Sequence, residues 1–191
     1  METEVTVQVF NTLEETLKIL KKQGFTITER FELDDWYYST YTKEEARKTE
    51  YQDLIASSLL VRKVINENKI EHLLFYKNKQ LDSCGNVIAE TKIGTKIESC
   101  EKVCKMLTSI NMKEWCSIKN KSVVVTNDKM QFCLQDIEGL GLFIEYEEKD
   151  RHKGLSSTEK FKTLSEELKS LNLKIGNDFS CKKPYLVLHS L

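Results

Sequence analysis

The residues that interrupt regular structure are scarce: one proline, Pro184, and seven glycines in 191 residues. No Gly-, Ser- or Pro-rich linker divides the chain and no internal repeat is visible, so a single domain over 1–191 with long regular elements is expected. Long apolar runs are missing too. No stretch reaches the roughly 20 residues that span a bilayer, and the N-terminus carries acids, so a cytoplasmic protein without a membrane partner is expected. An excess of one charge is also absent. The 29 Lys and Arg nearly balance 30 Asp and Glu, for a net charge of -1, which argues against nucleic acid as a partner. The balance leaves room for a local basic pocket.

Several chemical signatures are missing as well. Cys84, Cys100, Cys104, Cys116, Cys133 and Cys181 include no CxxC pair and no matching His/Cys pair for zinc, so free structural thiols are expected. The three histidines, His72, His152 and His189, are scattered and define no catalytic pairing. No GxxxxGK[ST] or GxGxxG loop is present, so a glycine-rich phosphate loop is not indicated.

What the chain does contain is strand. Period-two or β-branched runs occur at TEVTVQVF (3–10), FELDDWYYST (31–40), SSLLVRKVI (57–65), EHLLFYK (71–77) and NVIAETKI (86–93). They continue at WCSIKNKSVVV (115–125), KMQFCLQDI (129–137), LFIEYEE (142–148) and YLVLHS (185–190), giving about nine strands. Turns are expected at 83–86, 126–128 and 138–141. Helical periodicity is confined to 12–22, 42–55, 99–110 and 157–173. This is a mainly β, α+β pattern: an antiparallel sheet that curls or closes, with helices outside, or an open sheet.

Charges sit inside these strands in face-matched pairs. Glu2 and Glu4 share one face of the first strand, Glu145 and Glu147 share a face of FIEYE, and Lys119 and Lys121 share a face of SIKNKSVVV. Arg62 lies in SLLVRKV and Lys77 ends LLFYK. If such faces lined a cavity, the acids could hold Mg²⁺ or Mn²⁺ and the bases could clamp phosphate oxygens. The plainer alternative is a solvated sheet face with cross-strand ion pairs.

Set side by side, these segments resemble the CYTH-domain, triphosphate tunnel metalloenzyme family, nearly end to end. LQDIEGLGLFIEYE is similar to the family's LDxVxGLGxFxEIE signature, and Glu2-Thr3-Glu4-Val5-Thr6 to its N-terminal ExExK. Asp35-Trp36-Tyr37 resembles the D-x-Y segment, SLLVR the arginine strand, LFYK the lysine strand, and KKPYLVLHSL the closing strand. AETKIG retains Glu90 and Lys92 of the RxExE strand. Three departures stand out: Thr6 replaces the ExExK lysine, Gln8 replaces an arginine, and Gln135 replaces an aspartate, with Asp136 on the opposite face.

The resemblance implies a closed eight-stranded antiparallel β-barrel, a triphosphate tunnel, with helices packed outside. It implies Glu2, Glu4, Glu145 and Glu147 as ligands of Mg²⁺ or Mn²⁺, and Arg62, Lys77, Lys119 and Lys121 as phosphate-binding residues. The implied partner is ATP or another triphosphate. The implied activity is class IV adenylate cyclase-like, ATP to cyclic AMP and pyrophosphate. The alternatives are a thiamine triphosphatase- or tripolyphosphatase-like hydrolase and a non-catalytic nucleotide- or polyphosphate-binding module. Trp36 and Trp115 suit either core packing or the interface of a homodimer.

Overall fold

The computed structural model describes residues 3–81 and 87–190; Glu2, Cys84 and the turn expected at 83–86 lie outside them. Among the described residues there are eight strands: β1 (Glu4–Val9), β2 (Thr26–Ser39), β3 (Leu59–Asn66), β4 (Lys69–Leu81), β5 (Val87–Lys96), β6 (Lys113–Thr126), β7 (Gln131–Ile137) and β8 (Gly141–Glu147). Six helices accompany them: α1 (Leu13–Lys22), α2 (Lys43–Ala46), α3 (Tyr51–Ala56), α4 (Cys100–Ser109), α5 (Ser157–Lys169) and α6 (Lys183–Ser190). The strands form one sheet in the order β1-β8-β7-β6-β2-β3-β4-β5, and the pairs β1–β8, β7–β8, β2–β3 and β3–β4 are antiparallel.

The mainly antiparallel β class is as expected, but the closed barrel is not. β1 and β5 end the strand order, and among the described residues no ladder joins them. The second edge of β1 is already occupied. Thr6 N–H donates to the Phe179 carbonyl at 2.9 Å, Cys181 N–H to Thr6 at 3.1 Å and Gly176 N–H to Gln8 at 2.9 Å. Residues 174–181 thereby satisfy the edge that closure would need.

A second correction concerns the C-terminus. YLVLHS, expected as a strand, lies in helix α6. Pro184 cannot donate to a ladder but fits a first helical turn, and it is buried with Leu188 four residues on, one face of a helix. The expected helix over 42–55 is instead two short pieces, α2 and α3.

The chain divides into two compact units interleaved in sequence: Met1–Arg30, Leu81–Ala89 and Lys121–Cys181 in the first, Phe31–Gln80, Glu90–Asn120 and Lys182–Leu191 in the second. In the first unit, Val5, Val7 and Val9 of β1 pack with Ile144 and Tyr146 of β8, Leu134 of β7, and Leu20, Leu164 and Leu168 of α1 and α5. Both helices begin with a reciprocal capping box, Thr12 with Glu15 and Ser156 with Glu159. The valine face of β1 is therefore the helix-covered face. In the second unit, Tyr38, Val61, Cys100 and Leu107 form a core with Trp36, Leu59 and Leu74 against α4. Trp115 is also fully buried, its Nε1 donating to Ser58 Oγ at 3.0 Å.

Candidate functional site

Register places the acids. In the β1–β8 ladder Glu4 pairs with Glu147, Thr6 with Glu145 and Gln8 with Phe143. On the other side of β8, Cys133 pairs with Glu145 and Gln135 with Phe143. Because side chains alternate, all of these lie on the face opposite the valine core. The hairpin between β7 and β8 turns through Gly139 and Gly141, whose φ values of +80° and +91° suit glycine. Gln8 Nε2 donates to the Leu140 carbonyl of that turn at 3.3 Å and ties β1 to it.

Carboxylate oxygens of Glu4, Glu145 and Glu147 lie within 4.8 Å of one another. Glu4 and Glu145 are half-buried and Glu147 is exposed. Like charges this close oppose one another, and a cation between them relieves the repulsion. Next to them is a pocket of about 160 Å³, lined by Val124, Gln131, Cys133, Glu145, Glu147 and Lys149 among others. Behind β8, Tyr146 OH donates to Glu167 Oε2 of α5 at 2.6 Å, and Arg151 Nη2 donates to the same oxygen at 2.6 Å. These contacts fasten the strand that carries Glu145 and Glu147 to its covering helix.

The second unit carries bases on the sheet face opposite α4. Asp35 and Arg62 are directly paired in the β2–β3 ladder. Arg62 Nε and Nη2 donate to the two Asp35 oxygens at 2.7 and 2.6 Å, and Asp35 is only 4% exposed. This bidentate fork fixes the guanidinium plane, which also lies 5.8 Å from the Phe75 ring centre. Lys77 Nζ lies 3.5 Å and Lys79 Nζ 3.9 Å from Glu90 Oε1. Lys92 Nζ lies 5.1 Å from the Phe75 ring centre. A methyl group at Gly94 would meet that ring at 2.4 Å, so a glycine is needed for this approach.

Of the residues expected from sequence, Glu4, Glu145 and Glu147 are brought together, and Glu2 lies outside the described residues. Arg62 and Lys77 share the basic face of the second unit. Lys119 and Lys121 are exposed on β6 and alternate with buried Ile118, Asn120 and Ser122. Gln135 is buried on the acid-bearing face while Asp136 is exposed on the other, as its parity implied. Sequence reading missed Lys149, Gln131 and Lys79, and it did not connect Asp35 with Arg62, although both belong to expected segments.

The fold and site define a mainly antiparallel β protein with a carboxylate cluster on one sheet face, and comparison with known proteins places it. No protein-family profile matches the chain. A Methanocaldococcus jannaschii protein named as a putative adenylate cyclase is 28% identical over 174 residues, covering 90% of this chain and 89% of the relative. The solved PH1819 protein of Pyrococcus horikoshii OT3 has a TM-score of 0.73 at 19% identity and covers 100% of both chains. A Hippeastrum protein, HpAC1, described as a putative adenylyl cyclase with a dominant triphosphatase activity, has a TM-score of 0.58 at 14% identity, covering 100% of this chain and 96% of that one. The resemblance to the CYTH-domain, triphosphate tunnel metalloenzyme family is thus carried by sequence and fold together. Among the described residues no helix is long and apolar enough to cross a membrane.

Proposed function

We propose that the protein binds a triphosphate together with Mg²⁺ or Mn²⁺ and hydrolyses it. The observation that carries this reading is the meeting of the Glu4, Glu145 and Glu147 oxygens within 4.8 Å. Hard carboxylate donors in this number fit Mg²⁺ or Mn²⁺, which keep some of their water and bridge to phosphate. A cation held there would polarise a phosphoryl oxygen and lower the pKa of bound water. Within the second unit, the Arg62 fork held by Asp35 is a base of the kind that binds phosphate oxygens.

Hydrolysis is favoured over cyclisation by what the site lacks. Cyclisation needs the ribose 3′-hydroxyl aligned on the α-phosphorus, whereas hydrolysis needs only water at the terminal one. Thr6 and Gln135 on the acid-bearing face are buried and neutral, so fewer charged contacts are available to hold an extended substrate. The dominant triphosphatase activity of the Hippeastrum protein supports hydrolysis in this fold, while the name of the Methanocaldococcus relative supports ATP cyclisation as the alternative. The same neutral row supports a second reading, binding without turnover.

One incubation separates the three. Tripolyphosphate, thiamine triphosphate and ATP are supplied with Mg²⁺ or Mn²⁺, and phosphate, pyrophosphate and cyclic AMP are quantified. Phosphate release that disappears in Glu145→Gln is the expected result. Cyclic AMP with pyrophosphate would replace hydrolysis by cyclisation, and triphosphate-dependent thermal stabilisation without product would leave a binding module.

A further inference from the structure

Lys149 lies two residues beyond Glu147 and lines the same pocket of about 160 Å³ as Glu145 and Glu147. Its backbone is held on both sides by one residue: Lys149 N–H donates to His152 Nδ1 at 2.8 Å, and the Lys149 carbonyl accepts from His152 N–H at 2.8 Å. His152 is 2% exposed, so this anchor is part of the packed unit. The Lys149 ammonium donates to Gln131 Oε1 at 3.4 Å, which keeps the side chain over the pocket.

Charge makes this placement matter. A divalent ion on the three carboxylates leaves one net negative charge, which repels an incoming phosphate chain unless a base stands beside it. On β1, where the resemblance expects bases, the residues are Thr6 and Gln8. We propose that Lys149 takes over that role and binds the terminal phosphate of the metal-bound triphosphate in this pocket. The inference rests on the metal–triphosphate reading above. A pocket of about 160 Å³ has room for a phosphoryl group beside the acids.

The test is calorimetric titration of tripolyphosphate into the Mn²⁺-saturated protein, with Mn²⁺ alone followed separately by electron paramagnetic resonance. Lys149→Ala should weaken tripolyphosphate about ten- to hundredfold, the loss of a charge-assisted contact, while Mn²⁺ alone binds at least as well as in wild type. Lys149→Arg should recover most of the loss. Lys149→Met, which keeps the aliphatic stem, should behave as Lys149→Ala and guards against an effect of truncation on the turn. Unchanged tripolyphosphate affinity in Lys149→Ala and Lys149→Met, with Glu145→Gln still abolishing binding, overturns the role of Lys149 and leaves the metal reading standing. Failure of the wild type to bind Mn²⁺ or tripolyphosphate overturns both.

Discussion

Asp35 and Arg62 show how a residue's role depends on its neighbour across the ladder. Sequence reading assigned Arg62 to phosphate and Asp35 to a separate motif, and the register makes them one unit. Asp35→Asn would remove the charge that holds a guanidinium only 20% exposed, and should cost about 2 kcal/mol in urea unfolding. Glu71 gives a pH prediction of the same kind. Hydrogen bonds from Lys69 and Lys96 pull its carboxyl down to about 2. Because the folded value lies below the unfolded one, its contribution is present above the ordinary carboxylate range and is lost as pH falls from about 4 towards 2. Glu71→Gln should flatten the stability–pH curve in that window and leave the curve near pH 7 with the same slope. Lys119 and Lys121 share a face by period two, and both are exposed.

The elements were legible where periodicity and punctuation agreed. Helix α1 begins at its Thr12 cap, where the expected 12–22 helix starts, and GLG turns the hairpin into β8, because caps and positive-φ glycines are local chemistry. The C-terminal helix was not legible, since six apolar-rich residues after Pro184 read equally well as strand; tertiary burial of Pro184 and Leu188 decides the matter. Barrel closure was hidden for a similar reason. Nothing in KIGNDFS marks it as the partner of β1, as its hydrogen bonds to Thr6 and Gln8 are made by backbone alone. At this scale Gly139→Ala should be felt, because φ of +80° suits an L side chain poorly. A loss of about 1–2 kcal/mol in thermal or urea unfolding is expected, with weaker Mn²⁺ binding as the strand carrying Glu145 shifts.

At the scale of the whole molecule, each of the two units has its own core packed against its own helices. Their packing protects thiols: burial pushes Cys100 up to about 11 and Cys116 up to about 12. Neither should react with a disulfide reagent at pH 8 until the protein unfolds, and mass-mapped labelling against urea checks this. The carboxylate cluster remains the feature on which the functional account turns. It was readable as two face-matched acid pairs, and the fold adds that β1 and β8 are ladder partners in a register that sets Glu4 opposite Glu147. The most direct measurement is Mn²⁺ binding by electron paramagnetic resonance to the wild type and to Glu145→Gln. The account predicts one bound Mn²⁺ in the wild type, competed by Mg²⁺ and strongly weakened in Glu145→Gln. A wild type that binds no Mn²⁺, or a Glu145→Gln variant that binds it equally well, would contradict it.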